Sequence, residues 1–383
     1  THSNSNREIM SAVLAFVRGW FAEPPPPYEI RQASARWSRG RAQQVRRVLR
    51  IAEVIEETPS TRTFVLAAPD GGVPALDYRA GQHLTLVMDA GGATQRRCYS
   101  FSTSPLAGGL PAITVKRVAD GVVSRHLHEH VRAGDTLVSL DPTGEFTLAT
   151  DATARRHLVL VAGGVGITPL VSLAETVLRA EPGSRVTLLC GNRSEDEIVF
   201  RRRLDALAQE FGPRMVLRHA LDAPPDGWTG MSGALDGPSV LRVLGAERAD
   251  AYYVCGPEPM MRGIRAALEA DGIAREAVHI ERFAYASAAT TRIPDHPAEI
   301  LFVGSGRRVT ARPGQTILQA GLEAGVDLPS SCTMGGCGAC KVKKRDGAVV
   351  MSEPNCLSDD EREAGYLLAC CAYADSNVVV EDH

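Results

Sequence analysis

The stretch Cys332-Thr-Met-Gly-Gly-Cys337-Gly-Ala-Cys340 decides more about this chain than any other. Its cysteines follow the spacing C-x4-C-x2-C, and Cys370 lies well downstream. Four thiolates at this spacing are typical of a [2Fe–2S] cluster, because iron–sulfide units prefer soft thiolate ligands. The glycines between the cysteines have no Cβ, so a tight loop can wrap around the cluster. We therefore predict that the metal ligands are Cys332, Cys337, Cys340 and Cys370.

Two other kinds of site fit these cysteines less well. A structural zinc site usually shows two close Cys/His pairs, whereas here the C-x2-C pair belongs to a run of three cysteines. A redox-active C-x-x-C pair would not need Cys332. The segments Leu328-Pro-Ser-Ser-Cys332 and Leu367-Leu-Ala-Cys370 make the C-terminal part resemble a plant-type ferredoxin domain. The resemblance implies an α+β, β-grasp-like domain over residues 298–383.

Length and composition limit the class of protein. A chain of 383 residues is expected to carry roughly two to four domains. The net charge of −3 offers no basic surface field, so we expect no nucleic-acid partner. The cysteines outside the predicted cluster are scattered without a disulfide framework, which indicates a reducing compartment. No apolar run reaches the length of a membrane span, and we expect a cytoplasmic protein.

Two segments, residues 1–44 and 284–297, lie outside the predicted domains. Residues 1–44 are an N-terminal extension, in which the sequence at 9–21 favours a short amphipathic helix. We expect this helix to dock on its own protein, and the alternative is an interfacial anchor that gives peripheral membrane contact. A linker rich in Ala, Thr and Pro at 284–297 leads to the ferredoxin-like part.

Two different secondary-structure patterns lie between these segments, so the chain is predicted to be multidomain. Residues 45–150 contain short strands separated by glycine-bearing turns, which predicts an antiparallel β-barrel. The predicted strands are 45–54, 61–67, 83–88, 112–118 and 136–140. Residues 151–283 alternate strands with helices, which predicts an α/β domain with a parallel sheet and helices on both faces. The predicted strands there are 157–161, 185–190 and 251–255, and the predicted helices are 169–179, 197–210 and 259–271.

The barrel carries the motif Arg97-Cys98-Tyr99-Ser100 at the end of a strand. Alone this motif is weak, but other segments accompany it: Tyr78-Arg-Ala-Gly81-Gln82, Ile113-Thr-Val-Lys116, Gly121-Val-Val-Ser124 and Pro142-Thr-Gly144-Glu-Phe146. Together they resemble the flavin domain of the ferredoxin–NADP reductase superfamily. The resemblance implies that Arg97 holds the flavin pyrophosphate, Tyr99 stacks on the isoalloxazine, and Ser100 is a catalytic residue at the N5 edge.

The same resemblance gives the cofactor and the remaining flavin-binding residues. The segment from Gly121 is predicted to open a helix whose free N–H groups suit phosphate. FAD is favoured because most of the superfamily uses it, while FMN stays open because a minority with a fused C-terminal ferredoxin domain uses FMN. The residues predicted to bind the flavin are Arg97, Cys98, Tyr99, Ser100, Val115, Lys116, Gly121, Val122, Val123 and Ser124. Phe283 resembles the aromatic residue that covers the flavin face.

A glycine loop follows the strand at 157–161, with the sequence Gly163-Gly164-Val-Gly166-Ile-Thr168-Pro169. Its G-x-G-x-x-P form departs from the Rossmann fingerprint but is usual in the same superfamily. A second segment, Tyr253-Val-Cys255-Gly256-Pro257, matches the C-G-P motif of that superfamily, whose cysteine lines the pocket for nicotinamide C4. The resemblance implies that Thr168 and Cys255 are catalytic. The predicted nucleotide-binding residues are Gly164, Gly166, Thr168, Arg193, Ser194, Cys255, Gly256 and Pro257.

The choice between NADPH and NADH depends on the loop after the second strand of the sheet. Arg193 and Ser194 lie where an arginine would favour the 2′-phosphate of NADPH. The neighbouring acidic residues 195–197 keep NADH open, because an exposed arginine among acids is usually a solvated ion pair.

The three modules imply one function. A hydride carries two electrons and a [2Fe–2S] cluster accepts one, so a flavin between them would divide the pair. The chain therefore resembles the reductase components of multicomponent oxygenases, and the implied acceptor is a terminal oxygenase, hydroxylase or desaturase. The alternatives are a reductase of a hybrid-cluster or other redox protein, and a redox sensor without steady turnover.

Overall fold

The computed structural model of the chain describes residues 46–90, 92–283 and 291–382. The predicted helix at 9–21 and the first part of the predicted linker lie outside these residues. Three large sheets follow one another along the chain, and each has its own hydrophobic core. This arrangement confirms the predicted multidomain fold. No helix in the described ranges is long and apolar enough to cross a membrane.

The first sheet is the predicted antiparallel barrel. Its strands are β1 Arg47–Thr58, β2 Thr61–Ala67, β3 His83–Ala90, β4 Ala93–Ser100, β5 Ala112–Lys116 and β6 Thr136–Ser139. They pair in the order β4-β3-β6-β1-β2-β5, and every pair is antiparallel. A bridge between Phe101 and Ile113 joins the two ends of this order and closes the barrel. Helix α1 (Val122–His130) packs against the barrel core through Val123 and Leu127.

The pairing of β3 with β4 decides which way each side chain of β4 points. Leu84 lies opposite Tyr99, and Thr85 lies opposite Cys98. Neighbouring residues of a strand point to opposite faces. Tyr99 and Arg97 therefore share the face of the core residue Leu84, while Cys98 shares the outer face with Thr85.

The second sheet is the predicted parallel sheet, and all its pairs are parallel. Its strands are β7 His157–Gly163, β8 Arg185–Asn192, β9 Met215–Leu221, β10 Met231–Ser232, β11 Ala251–Cys255 and β12 Val278–Glu281, in the order β10-β9-β8-β7-β11-β12. Its helices are α2 Ile167–Ala180, α3 Arg201–Phe211, α4 Gly237–Leu244 and α5 Glu258–Ala270. One core contains buried residues of α2 and α3, and another contains those of α4 and α5. Helices thus cover both faces, as predicted.

One helix of this domain begins later than predicted. The sequence favoured a helix from 197, but α3 begins at Arg201. Glu195–Glu197 form a separate 3-10 turn, and Phe200 is left-handed with φ of 61°. A left-handed residue interrupts a right-handed helix, so the chain must turn before α3 can start.

The third sheet carries the cysteine-rich loop. Its strands are β13 Ala298–Phe302, β14 Arg307–Ala311, β15 Lys341–Asp346, β17 Tyr366–Leu368 and β19 Val378–Glu381, in the order β14-β13-β19-β15-β17. A separate pair consists of β16 Val349–Met351 and β18 Ala372–Ala374, and the helices are α6 Ile317–Glu323 and α7 Asp359–Glu363. The cysteine-rich loop lies between α6 and β15. This mixed sheet, packed against the buried face of α6, has the predicted α+β character.

Candidate functional site

The cysteine-rich loop brings the four predicted ligands into two pairs. Cys332 lies within hydrogen-bonding reach of Cys337, whose sulfur accepts from the Cys332 amide at 3.4 Å, and Cys340 lies within the same reach of Cys370. Cys332, Cys340 and Cys370 are buried, and Cys337 is half-buried. Four such thiols, largely shielded from water, suit the donor set of a [2Fe–2S] cluster.

Backbone amides of the same loop point at these sulfur atoms. The amides of Met334 and Gly336 each donate to Cys332 Sγ at 3.4 Å. The amide of Gly335 donates to Cys370 Sγ at 3.2 Å. Thr333 takes a left-handed conformation, with φ of 58°, to let the loop turn. Such amide contacts stabilise negative charge on sulfur, and therefore fit an anionic metal–thiolate centre.

Cys370 and Cys371 lie in a turn between β17 and β18, and not in an extended strand. Strand alternation therefore does not separate their thiols. The separation comes from their hydrogen bonds, since Cys370 contacts the cysteine-rich loop while Cys371 Sγ points at the carbonyl of Leu368, 3.7 Å away.

The predicted flavin residues lie where the barrel meets the cysteine-rich loop. Arg97 Nη1 lies 2.6 Å from Met334 Sδ of that loop. Tyr99 packs against the barrel core, and burial raises its pKa. Cys98 is half-buried and lies 3.2 Å from Thr85 Oγ1. The side chains of one short strand segment thus reach both the barrel core and the loop.

Two polar atoms near the end of β4 are buried without a partner. Ser100 Oγ and Glu281 Oε2 are shielded from solvent, and neither makes a well-formed hydrogen bond with a described residue. Burial raises the pKa of Glu281 to about 8, while the nearby Ser100 hydroxyl lowers it in part. Buried polar groups without partners are costly in a native protein, and they fit a site that a polar cofactor edge completes.

Glu281 is the functional candidate to which sequence reasoning gave no role. It stands at the end of β12, directly opposite Cys255 of β11 in the sheet. The sequence signal was its position two residues before Phe283. A carboxyl group at a strand end has no sequence pattern of its own. Sheet register places it opposite Cys255, and the packing of the barrel on the nucleotide domain places it near Ser100.

The other predicted flavin residues surround α1 and the end of β5. Val115 and Val123 are buried core residues, and Val122 is the first residue of α1. Ser124 Oγ accepts from the Val118 amide at 3.2 Å, and a Cβ on Gly121 would lie only 2.4 Å from that hydroxyl. A helix N-terminus with a glycine before it leaves room for a phosphate near free N–H groups.

Lys116 reaches across to the nucleotide domain. Its ammonium lies 3.6 Å from the carboxylate of Glu197 in the 3-10 turn before α3. It is therefore an interdomain ion-pair partner in this structure.

The two glycine motifs of the nucleotide domain pack against each other. A Cβ on Gly166 would lie 2.2 Å from the carbonyl oxygen of Cys255, and one on Gly256 would lie 2.9 Å from Gly163 Cα. A Cβ on Gly163 would lie 2.5 Å from Pro257 Cδ. Gly164, with φ of 52°, turns the chain between β7 and α2. These contacts place both motifs at the carboxyl ends of β7 and β11, where open α/β sheets bind ligands.

Side chains at this edge differ in exposure. Thr168 is buried, and its hydroxyl donates to the Val165 carbonyl at 3.1 Å. Cys255 is 0% exposed, and burial raises the pKa of its thiol well above the usual range. Phe283 is 43% exposed, which leaves its ring available to another group.

The loop after β8 keeps one arginine in solvent. Arg193 is exposed and makes no ion pair with the residues that the structure describes. Ser194 Oγ donates to Asp196 Oδ1 at 2.5 Å, and Arg201 pairs with Glu195 at 2.5 Å. The acidic neighbours are thus engaged with other groups, so Arg193 keeps a charge that can meet an anion.

Family models match three parts of the chain. Residues 48–148 match the oxidoreductase FAD-binding domain, and 160–266 match the oxidoreductase NAD-binding domain. Residues 301–375 match the 2Fe-2S iron-sulfur cluster binding domain.

Whole proteins are also similar to the chain over most of their length. One component of 1,2-phenylacetyl-CoA epoxidase from Escherichia coli K12 is 34% identical, covering 87% of this chain and 96% of the relative. The ferredoxin reductase component of 3-ketosteroid-9-alpha-monooxygenase from Rhodococcus rhodochrous is 32% identical, covering 85% and 93%. The solved structure of phthalate dioxygenase reductase has a TM-score of 0.58 at 27% identity, covering 87% of this chain and 97% of that one.

Proposed function

Since this chain belongs to the ferredoxin–NADP reductase superfamily, among the oxygenase reductases with a C-terminal [2Fe–2S] ferredoxin domain, we propose how its residues carry out electron transfer. The protein is an NAD(P)H-dependent flavoprotein oxidoreductase that passes electrons to an oxygenase. When bound, FAD supplies the conversion of a two-electron hydride into single electrons, and the [2Fe–2S] cluster carries them singly.

The four thiols of the cysteine-rich loop and the following turn are the cluster ligands in this proposal. The observation that supports this assignment is that the four thiols form two pairs, Cys332 with Cys337 and Cys340 with Cys370. Backbone amides of the loop donate hydrogen bonds to their sulfur atoms. Each pair would hold one iron. The loop amides hold charge at sulfur, and the burial of the thiols excludes water.

The barrel residues hold and orient the flavin. Arg97 would meet the pyrophosphate with its forked cation, together with the free N–H groups before α1. Tyr99 would present its ring to the isoalloxazine. Ser100 Oγ, which is buried without a partner, is placed to bond the cofactor edge. Phe283, with its exposed ring, would cover the other face.

The nucleotide domain orients the hydride donor in the same proposal. The packed glycine motifs at Gly164, Gly166 and Gly256, with Pro257 beside them, let the pyrophosphate approach the backbone. Thr168 and Cys255 would line the nicotinamide pocket. Arg193, with Ser194 next to it, would meet the 2′-phosphate, so NADPH is the preferred donor.

Glu281 is proposed to hold a proton beside the hydride path. Its raised pKa keeps the carboxyl protonated at neutral pH, close to the Ser100 hydroxyl. A buried carboxylic acid kept neutral is a usual device for supplying a proton or hydrogen bond at pH 7.

The electron acceptor is an oxygenase component, as in the relatives. We favour an oxygenase over a desaturase as the acceptor. The relatives from Escherichia coli and Rhodococcus rhodochrous are components of an epoxidase and of a monooxygenase. Membrane contact through residues 9–21 stays a prediction.

Spectroscopy of the purified protein tests this function. We expect the absorption of FAD and of a [2Fe–2S] cluster, and NADPH under anaerobic conditions should bleach the flavin before an EPR signal of the reduced cluster grows. Rapid steady-state reduction of cytochrome c would separate an enzyme from a sensor. A protein that binds no flavin, or a cluster that NADPH never reduces, would contradict the proposal.

A further inference from the structure

The outer face of the β3–β4 pair packs directly on the cysteine-rich loop. Thr85 Oγ1 lies 2.7 Å from Ser331 Oγ, and both side chains are buried. Arg96 Nη1 donates to the Ser331 carbonyl at 3.0 Å. Ser331 immediately precedes Cys332, so these contacts hold the start of the loop against the barrel.

A fifth thiol enters the cysteine group from the barrel. Cys98 lies within hydrogen-bonding reach of both Cys332 and Cys337. A ring nitrogen of His83, Cys98 Sγ and Cys337 Sγ all lie within 4.8 Å of one another. Neither barrel residue belongs to the C-x4-C-x2-C pattern, and only the docking of two domains brings them there.

These barrel residues are fixed in place by their neighbours. Thr85 Oγ1 lies 3.2 Å from Cys98 Sγ and also contacts Ser331. The Nε2 atom of His83 lies 3.1 Å from Thr143 Oγ1, and His83 is 5% exposed. A Cβ on Gly144 would lie 2.9 Å from His83 Nδ1, so the glycine leaves the space that the ring occupies. Side chains that are already fixed lose little further conformational entropy when they interact with a neighbouring metal centre.

Neighbouring residues of strand β4 therefore contact two different parts of the protein. Tyr99, a proposed flavin residue, packs on the barrel core, while the neighbouring Cys98 lies beside Cys332 and Cys337. The side chain of Arg97 also reaches the cysteine-rich loop, at Met334. The strand therefore places Tyr99 of the proposed flavin site next to Cys98, which contacts the Cys332–Cys337 pair.

We propose that Cys98, with His83 beside it, is a positioning residue of the cluster that donates its S–H to the Cys332–Cys337 thiolate pair and raises the cluster's reduction potential. The inference rests on the proposed function, because it takes the ligand assignment from there. A hydrogen bond to a ligand sulfur stabilises the reduced cluster, which carries one more negative charge. In this role Cys98 is a hydrogen-bond donor and is neither oxidised nor reduced.

A potentiometric titration of the loaded full-length protein, followed by EPR, tests this role. We expect Cys98→Ala to shift the flavin-to-cluster equilibrium roughly tenfold against cluster reduction, which is about 59 mV to more negative potential for one electron. Cys98→Val, a second substitution without a donor, should give the same direction. Cys98→Ser keeps an O–H donor and should keep most of the potential.

Cys356→Ala is the matched control. Cys356 Sγ also lies beside the loop, 3.8 Å from where a Cβ on Gly338 would stand, but it belongs to the ferredoxin domain. It should leave the potential unchanged. A wild-type potential in Cys98→Ala with full cluster content would overturn the proposal, as would equal shifts in Cys98→Ser and Cys98→Ala. Loss of the cluster from Cys98→Ala while Cys370→Ser retains it would instead show that the ligand assignment is wrong.

Discussion

Cys370 and Cys371 are neighbours in the chain, yet their sulfur atoms have different surroundings. Cys370 Sγ accepts from Gly335 in the cysteine-rich loop, whereas Cys371 Sγ points at the Leu368 carbonyl. We expect Cys370→Ser to destroy or severely weaken the [2Fe–2S] absorption and EPR signal, and Cys371→Ser to keep both. Flavin reduction by NAD(P)H should survive in both variants because it precedes the cluster. Intact clusters in both variants would mean that the two thiols can exchange.

Arg193 is the residue on which the choice of coenzyme depends in our proposal. Its exposed guanidinium has no carboxylate partner among the described residues. We expect Arg193→Ala to raise the KM for NADPH roughly tenfold, since a hydrogen bond to a charged group is worth about 1.5–3 kcal/mol, and to change the KM for NADH little. Arg202→Ala, another exposed arginine nearby, is the control. Equal losses for both coenzymes would remove Arg193 from this role.

Glu281 gives the protein without bound cofactor a predictable dependence on pH. Its pKa is raised from 4.5 to about 8. Between these two pH values the folded protein therefore keeps a proton that the unfolded chain has lost. This contribution to stability is fully present below pH 4.5 and is lost as the pH rises through about 8. The Tm should therefore fall more steeply with pH in wild type than in Glu281→Gln. Parallel curves would show that this carboxyl is ionised in the fold.

The two glycine motifs allow the loop before α2 and the loop after β11 to lie in close contact. Since a Cβ on Gly166 would lie 2.2 Å from the Cys255 carbonyl, the loops before α2 and after β11 would have to move apart. We expect Gly166→Ala to cost about 1–3 kcal/mol of stability and to slow flavin reduction by NAD(P)H at least tenfold. The cluster signal should be retained.

Gly263 provides the matched control within the same domain. It lies in α5, and a Cβ there would meet no atom within 4 Å. Alanine is the better helix former, so Gly263→Ala should stabilise by about 0.5–1 kcal/mol and leave the flavin reduction rate unchanged. If both substitutions slow hydride transfer alike, close packing of the motifs is not the reason.

Ion pairs also link the ferredoxin domain to the other two domains. Lys341 Nζ lies 3.2 Å from Glu145 of the barrel segment, and Arg265 lies 3.5 Å from Asp359 of α7. Arg275 pairs with Asp360 at the same boundary. These side chains are partly exposed, so each pair contributes only about 0–1 kcal/mol and is screened by salt.

Docking of the ferredoxin domain should therefore weaken as salt rises. We expect high salt to slow flavin-to-cluster electron transfer about two- to fivefold, within the free energy of such pairs, and to leave hydride transfer unchanged. Asp359→Asn with Asp360→Asn should reproduce part of this effect at low salt in stopped-flow absorption. Glu210→Gln, which breaks a 3.0 Å pair with Arg179 inside one domain, is the control. Equal slowing of both steps would contradict docking by these ion pairs.

Local patterns in the sequence determined the three modules. The C-x4-C-x2-C spacing, the strand alternation with helices at 151–283, and the glycine motifs each depend on residues close together in the chain. Periodicity and steric freedom act over such short distances, so they can be recognised without a structure. The barrel, the parallel sheet and the [2Fe–2S] cluster followed from them, whereas the flavin and nicotinamide cofactors followed from the resemblance to the reductase superfamily.

Only the tertiary structure decided which distant residues share a site. Glu281 meets Cys255 through sheet register and Ser100 through the packing of two domains, and Cys98 meets Cys332 and Cys337 in the same way. The start of α3 also depended on the left-handed conformation of Phe200, which the spacing of apolar residues does not predict. These outcomes depend on packing between elements far apart in sequence, and a one-dimensional pattern carries no information on how two packed surfaces meet.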